Sequence, residues 1–365
     1  MICDISIQLR NYEKMYYILQ IINYSMSEFD NFSQFKETDI RPEKFDGEHK
    51  KVVKEDINML QKRKKEFVES NCPACDNNNS TNEFLKNEFN YERCNHCQTT
   101  YTNPRPSPEI LKWFYQNSKN YEFWNNVMYP ASEESRRKNI ILPRMNKTLE
   151  LCQKYENKMG SLLEVGAGFG SFCSEIQSTK NFKRIVAIEP TPELASTCRK
   201  KEIETIESSI EDIDFTSEKF DVVVNFEVIE HLFSPKEFLL QIKNILNEKG
   251  LLILSCPNGM GFDIRLLKNK SNTIDHEHLN YFNPFSMSLL LRNCGYRVLE
   301  IFTPGKLDAE LVRKKILSGD FVLEKEDEFI KHVLIDKWKE MGNDFQQFLV
   351  KNAMSSNMWA VAQKA

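Results

Sequence analysis

Leu162-Leu163-Glu164-Val165-Gly166-Ala167-Gly168-Phe169-Gly170 reads as a short buried strand that runs into a glycine-rich turn and then a helix. Glycines at alternate positions remove the Cβ atoms that would hold a ligand off the backbone. The helix that follows offers unpaired N–H groups at its start, a natural seat for an anionic or carboxylate-bearing ligand. The dinucleotide fingerprint requires G-x-G-x-x-G. Gly166 and Gly168 fit it, but Ser171 stands at the third position and Gly170 comes one residue early. A glycine turn between strand and helix also serves packing alone, so the neighbouring sequence has to decide.

From Ser161 the chain alternates strand-like and helix-like runs, the pattern of a parallel sheet with helices on both faces. Expected strands are Ser161–Val165, Arg184–Ile188, Ile203–Glu207, Phe220–Phe226, Leu251–Ser255 and Tyr296–Phe302, with Met358–Ala362 last. Thr191 and Pro192 read as a cap and first turn, and Ser234–Glu237 as a capping box whose helix stops at Gly250. In this sheet type ligands sit at the carboxyl ends of the strands, where the strand order reverses. Glu189, followed by Pro190, ends the second strand and can accept both ribose hydroxyls of an adenosine ligand; the alternative is a surface glutamate. Ser208–Asp212 should wrap the adenine, with Ile210 on the ring face and Ser209 at its edge. Asn225-Phe226-Glu227-Val228-Ile229-Glu230-His231 borders the far end of the same ligand.

The 365 residues allow one large domain and a small one, or two medium domains, and 41% hydrophobic content with 25 Phe can fill a core. A net charge of −4 without a basic block disfavours nucleic acid as the partner. No apolar run approaches a membrane span, and no signal-peptide pattern stands at the N-terminus, so the expected location is the cytoplasm. Residues 1–70 read as a helical extension without chemistry, with one helix at Met15–Ile22 and helical spacing over Val52–Val68.

Cys72-Pro73-Ala74-Cys75 and Cys94-Asn95-His96-Cys97 are paired C-x-x-C knuckles at zinc-ribbon separation. Four thiolates complete a closed tetrahedron around Zn²⁺, so the metal would be structural and His96 a neighbour. The alternative is two reduced cysteine pairs. Residues 71–103 make the expected ribbon, with Phe84–Tyr91 as its strand. Asn103–Pro108 reads as a linker in which prolines forbid a regular element, opening a stretch of connecting helices over 104–160. Its aromatic residues, Trp113, Phe114, Tyr115, Tyr121, Phe123, Trp124 and Tyr129, read as packing, with a pocket wall as the alternative. The sheet domain takes 161–303, a helical insertion (lid or dimer surface) 304–355, and the final strand 356–365.

After the fifth main strand, Asn272–Phe282 packs His276, Glu277, His278, Asp275 and Tyr281 together. H-E-H invites a metal reading, yet an extended segment would point His276 and His278 one way and Glu277 the other. A polar loop with one structural histidine is a second reading, and an acid–base pair the third.

Glu164–Gly170 (E-x-G-x-G-x-G) resembles the first motif of class I S-adenosylmethionine (SAM) methyltransferases, and Asn225–Leu232 (N-x-x-x-x-E-H-L) resembles their fourth. The resemblance covers Ser161 to Phe302 and implies a Rossmann-like α/β sheet, mostly parallel with an antiparallel last strand. It implies SAM against Glu164, Gly166, Ala167, Gly168, Gly170, Glu189, Pro190, Ser209, Ile210, Asn225, Phe226, Glu227 and His231. Thr273–Phe282 resembles the T-I-x-H-E-H-L-x-Y-F motif of sugar C-methyltransferases acting on nucleotide-linked 4-keto-deoxysugars, enzymes that also carry an N-terminal four-cysteine zinc module. That family has Tyr where this chain has Asp275. The resemblance implies a catalytic set of His278, Glu277, His276 and Tyr281. His278 would remove a proton beside the ketone, since an imidazole titrates near working pH, and Glu277 would orient or relay. The expected acceptor is a small, sugar-like molecule. O- or N-methylation of a glycan or other metabolite is the alternative, and RNA a more remote one.

Overall fold

The computed structural model describes residues 36–209, 213 and 218–364. The expected helix at Met15–Ile22 and the adenine contact Ile210 lie outside them. In the N-terminal part a short helical turn at Glu37–Ile40 precedes helix α1 (Asp46–Gln61). Strands β1 (Ser80–Lys86), β2 (Phe89–Cys94) and β3 (Thr100–Thr102) then form an antiparallel meander. The stretch expected as one ribbon strand is a hairpin instead. Asn87 and Glu88 take φ of 51° and 64°, a left-handed turn that reverses the chain inside Phe84–Tyr91.

Helices α2 (Pro108–Asn117), α3 (Lys119–Phe123), α4 (Tyr129–Arg136) and α5 (Leu142–Lys154) bridge to the main domain. The proline linker is shorter than expected. Ser107 caps α2, and Pro108 sits in its first turn, where a missing N–H costs nothing.

The main sheet holds β4 (Ser161–Val165), β5 (Arg184–Ile188), β6 (Glu204–Ile206), β7 (Phe220–Phe226), β8 (Leu246–Pro257), β10 (Tyr296–Phe302) and β11 (Asn357–Lys364). Strand β9 (Asn280–Tyr281) belongs to the meander, beside β3. The main-sheet order is β10-β11-β8-β7-β4-β5-β6, and β11 alone runs against its neighbours. Order reverses between β4 and β7.

Strand alternation assigns each apolar side chain to one of two cores. Leu163, Val223, Leu252 and Leu254 meet helices α8 (Pro235–Ile245) and α10 (Pro284–Asn293). Leu162, Val222, Val224 and Ile253 face α5 and α6 (Ser171–Ser178) on the other side. Burial on both faces explains why these strands read as continuous apolar runs.

Two expected helix signals differ. Thr191 makes no side-chain cap on α7 (Pro192–Lys200), and its backbone N–H donates to Glu189. Ser234 likewise makes no side-chain cap, and α8 ends at Ile245, since Leu246 already pairs with Phe220 as the start of β8. Between β10 and β11, α11 (Asp308–Leu317) and α12 (Trp338–Lys351) pack with α9 (Phe262–Leu267) around Val312, Val333, Leu334 and Leu349. Among the described residues no helix is long and apolar enough to cross a membrane.

Candidate active site

The glycine turn leaves β4 with φ of 77°, 55° and 65° at Gly166, Gly168 and Gly170. Gly166 and Ala167 both donate to the Ile188 carbonyl, which ties the turn to β5. A Cβ on Gly170 would strike Ile203 and Cys198, whereas one on Gly168 would meet nothing within 4 Å. So Gly170 is required by protein packing, and Gly168 borders open space. Glu189 is 5% exposed; its Oε2 accepts from Gly168 N at 2.7 Å and its Oε1 from Thr191 N at 2.9 Å. Each carboxylate oxygen keeps a second lone pair, so the expected ribose acceptor is held rather than consumed. Burial raises its pKa, against the pull of those amides.

At the strand-order switch, Asn225 donates to the Val165 carbonyl, while its buried Oδ1 has no partner among the described residues. Glu164 accepts from the Cys173 thiol, and burial lifts its pKa to about 7. An orphaned amide oxygen, an underpaired carboxylate and the open flank of Gly168 together suit a ligand carrying an ammonium and a ribose. Phe226 packs edge-on to Phe172. Glu227, left-handed at φ 57°, accepts from Ser255, Asn357 and Arg144. Pro190 is exposed and Ser209 half-buried.

The second half of the site is the 272–282 loop, and it is not extended. Asp275 Oδ1 accepts from Glu277 N at 2.9 Å and His278 N at 3.0 Å, closing a turn. The turn reverses the expected sidedness. His276 Nε2 approaches Glu277 Oε1 at 3.7 Å, while His278 lies across the turn against His231, ring centroids 4.6 Å apart. H-E-H therefore does not present two imidazoles to one ion. His278 Nδ1 contacts the Thr273 carbonyl and His231 Nδ1 the Glu277 carbonyl, both at 3.1 Å, leaving each Nε2 free of these contacts. Burial, then the adjacent His278, holds His231 down to about 3, so it is neutral. Below them Glu230 is fully buried, and neither carboxylate oxygen has a partner among the described residues; burial, then Glu227, pushes its pKa far up. The Tyr281 hydroxyl accepts from Asp275 N and donates to the Thr273 carbonyl. That phenol clamps the turn.

The loop is built largely by the meander. Lys86 of β1 donates to the Ser271 and Ile274 carbonyls, and Tyr91 of β2 to the Asp275 carbonyl. Thr102 N donates to Leu279 O, and Tyr101 of β3 pairs with Asn280. Arg105, 1% exposed, donates to Thr102 O, Phe233 O and Asn280 Oδ1.

Several contributors had no sequence signal. Asp56 and Asn120 face His276 and Glu277. Tyr115 and Tyr121 are partly buried, with phenols held well above their usual range by burial and then Glu277. The aromatic stretch thus divides. Phe114 packs in a core with Leu60 and Tyr281, while Tyr115 and Tyr121 feel the Glu277 charge, as a pocket wall would.

The four cysteines of the knuckles converge with all Sγ atoms within 4.8 Å. Cys72–Cys97 and Cys75–Cys94 stand at 3.4 and 3.5 Å, near the edge of about 3.8 Å that a Zn–S length of about 2.3 Å gives a tetrahedron. Both knuckles share one geometry. The residue after the second cysteine is left-handed (Asp76, 60°; Gln98, 62°) and donates to the carbonyl of the first. Donor set and spacing fit a tetrahedral thiolate-bound metal. Asn283, the cap of α10, donates to the Cys97 carbonyl, joining the knuckle to the end of the loop.

A family model described as a methyltransferase domain matches residues 135–301. A Mycobacterium tuberculosis protein named as a probable S-adenosylmethionine-dependent methyltransferase is 26% identical over 137 residues, 37% of this chain and 48% of that one. The C-methyltransferase NovU of Streptomyces niveus is 28% identical over 174 residues, 45% of this chain and 39% of NovU. The chain spans about half the length of the curated relatives it matches. A SAM-dependent methyltransferase structure from Clostridium acetobutylicum aligns with TM-score 0.44 and 11% identity, over 64% of this chain and 98% of that one. With the strand order above and the glycine turn at its switch point, residues 135–301 are a class I SAM-dependent methyltransferase domain.

Proposed function

We propose that this chain transfers the methyl group of SAM to a carbon next to a ketone in a small, nucleotide-linked sugar, with a structural Zn²⁺ on Cys72, Cys75, Cys94 and Cys97. The observation that carries the reading is the pair of imidazoles, His278 and His231, fixed through their Nδ1 atoms over a buried Glu230. The Nδ1 contact with the Thr273 carbonyl leaves the lone pair of His278 Nε2 available as the base that removes a carbon-bound proton, and His231 fixes the turn beside it. The likeness to NovU, a C-methyltransferase, supports the same choice.

Bound SAM supplies an electrophilic methyl on a sulfonium. His278 Nε2 takes the proton from the acceptor carbon, and the electron pair of that C–H bond becomes the enolate. The enolate carbon would take the methyl that bound SAM supplies, leaving the sulfur as a thioether, and the proton leaves His278 for water. Neutral His231 can donate a hydrogen bond to the developing oxyanion only from the ring nitrogen that carries its proton. Its Nδ1 contact with the Glu277 carbonyl assigns the proton there, so His231 serves chiefly to hold the turn. Glu277 borders the acceptor and orients it. Closing the loop against the meander excludes water from these steps.

The test is a screen of nucleotide-linked keto- and hydroxysugars with the zinc-loaded protein, locating the new methyl by NMR. A C–CH₃ product is expected, with solvent deuterium entering the carbon beside the ketone in the absence of methyl transfer. His278→Ala should stop the exchange. A methyl found on oxygen, or exchange that survives His278→Ala, rejects the reading.

A further inference from the structure

Helix α1 belongs to the stretch whose sequence shows no chemistry, yet it delivers a fully buried carboxylate to the acceptor loop. Asp56 is 0% exposed. Its oxygens accept from Ser118 Oγ, from Lys119 N at 2.7 Å and from Asn120 N at 3.0 Å, so it sets the first turn of α3. From that turn Asn120 Nδ2 donates to Glu277 Oε1. On its other side Asp56 Oδ2 lies 3.9 Å from His276 Nε2, whose 3.7 Å approach to Glu277 Oε1 places the imidazole between two carboxylates. The His276 side chain is 2% exposed, neither ring nitrogen has a hydrogen-bond partner among the described residues, and Phe114 closes its edge. Two independent paths, one through His276 and one through Asn120, therefore run from Asp56 to the same carboxylate.

We propose that Asp56 is a positioning residue for the acceptor side of the site: ionised, it holds a protonated His276 against Glu277 and sets Asn120 to hold the other face of that carboxylate. The proposal rests on the methyl-transfer reading only for what Glu277 then does. The charged groups facing His276 are Asp56 from α1 and Glu277 and Asp275 from its own loop; burial opposes its protonation, and these three, Asp56 first, more than offset it. Asp56 would itself be raised by burial, but His276, Ser118 and the two α3 amides bring it below its ordinary value. A carboxylate that only capped α3 would need no imidazole beside it.

The experiment uses the full, zinc-loaded chain with SAM as the only ligand, so no acceptor is required. His276 is followed by NMR in protein labelled at the histidine ring carbons, its signal assigned by loss in His276→Gln. In the parent its titration midpoint should lie above the ordinary 6.5; a midpoint below that overturns the proposal without any variant. Asp56→Asn should lower the midpoint by about one unit, a tenfold weaker hold on the proton, with SAM affinity within about twofold of the parent. Asp56→Glu, which keeps the charge, should recover most of the shift. An unchanged midpoint in Asp56→Asn, or an Asp56→Glu no better than Asp56→Asn, reduces Asp56 to a helix cap and overturns the proposal. Failure of the C-methylation reading would appear elsewhere, in the position of the methyl, and leave this titration as stated.

Discussion

Replacing Gly168 and Gly170 separately by alanine should give opposite results, although they are two residues apart in one turn. Both have left-handed φ, 55° and 65°, which costs an alanine about 1–2 kcal/mol. There the likeness ends. The new methyl at Gly170 would lie 2.8 Å from Ile203 Cδ1 and 2.9 Å from Cys198 Sγ, with Cys198 Cα at 3.4 Å behind them. Overpacking of that kind adds about 1–3 kcal/mol, so Gly170→Ala should lose about 2–5 kcal/mol of stability. At about 2–4 °C per kcal/mol, its Tm should fall by roughly 4–20 °C. At Gly168 nothing lies within 4 Å, so only the backbone cost remains and Tm should fall by a few degrees. The Gly168 methyl instead enters the space beside Glu189, where the cofactor's ribose would approach the backbone. A loss of about 1.4 kcal/mol or more, tenfold or more in Kd, is expected for SAM. Folded Gly170→Ala should bind within about threefold of the parent. Thermal unfolding without ligand and calorimetric titration of SAM measure the two quantities independently. If Gly168→Ala binds SAM as the parent does, the open flank of the turn is not the cofactor's, and the cradle is misassigned.

Three further outcomes follow from the same geometry. Cys97→Ser should lose the metal and disturb the acceptor loop through the Asn283 contact, leaving SAM affinity within about threefold; metal analysis and calorimetry on one preparation check both. Arg105→Met leaves the Thr102 and Phe233 carbonyls and Asn280 Oδ1 without their buried donor and should cost about 3 kcal/mol by denaturant unfolding. Glu164 has its folded pKa raised by burial from 4.5 to about 7, so its contribution is full below 4.5 and is lost as pH rises through 7. Glu164→Gln should therefore gain stability relative to the parent between those pH values, by about 3 kcal/mol at most; parallel unfolding curves at pH 4.5 and 8 measure the difference.

The sheet and the cofactor turn were legible because their signals are local. Val222–Val224 and Leu251–Leu254 are buried on both faces and so read as apolar runs, and the knuckles are set by four residues of spacing each. The acceptor loop was legible in composition but not in shape. Its turn depends on the Asp275 side chain taking two amides and on Lys86 and Tyr91 holding carbonyls from far upstream, so alternation misassigned its faces. Asp56 was invisible for a different reason. An aspartate within the charged helix Asp46–Gln61 resembles any solvated residue, and the one hint is that it shares a buried face with Leu60, four positions on. The helix boundary at Ile245 was missed because pairing of Leu246 with Phe220 overrides the run toward Gly250.

The β3–β9 pairing gives the protein an order of manufacture. β3 is the outer strand of the meander until β9 reaches it, and β9 leaves the ribosome only after β4 through β8. During that interval the meander carries a bare hydrogen-bonding edge, the kind of surface on which nascent chains misassociate. That pairing is the contact that joins the two halves of the site. A chain stopped short of Asn280 would still have the glycine turn and its strands, with no finished place for an acceptor beside them.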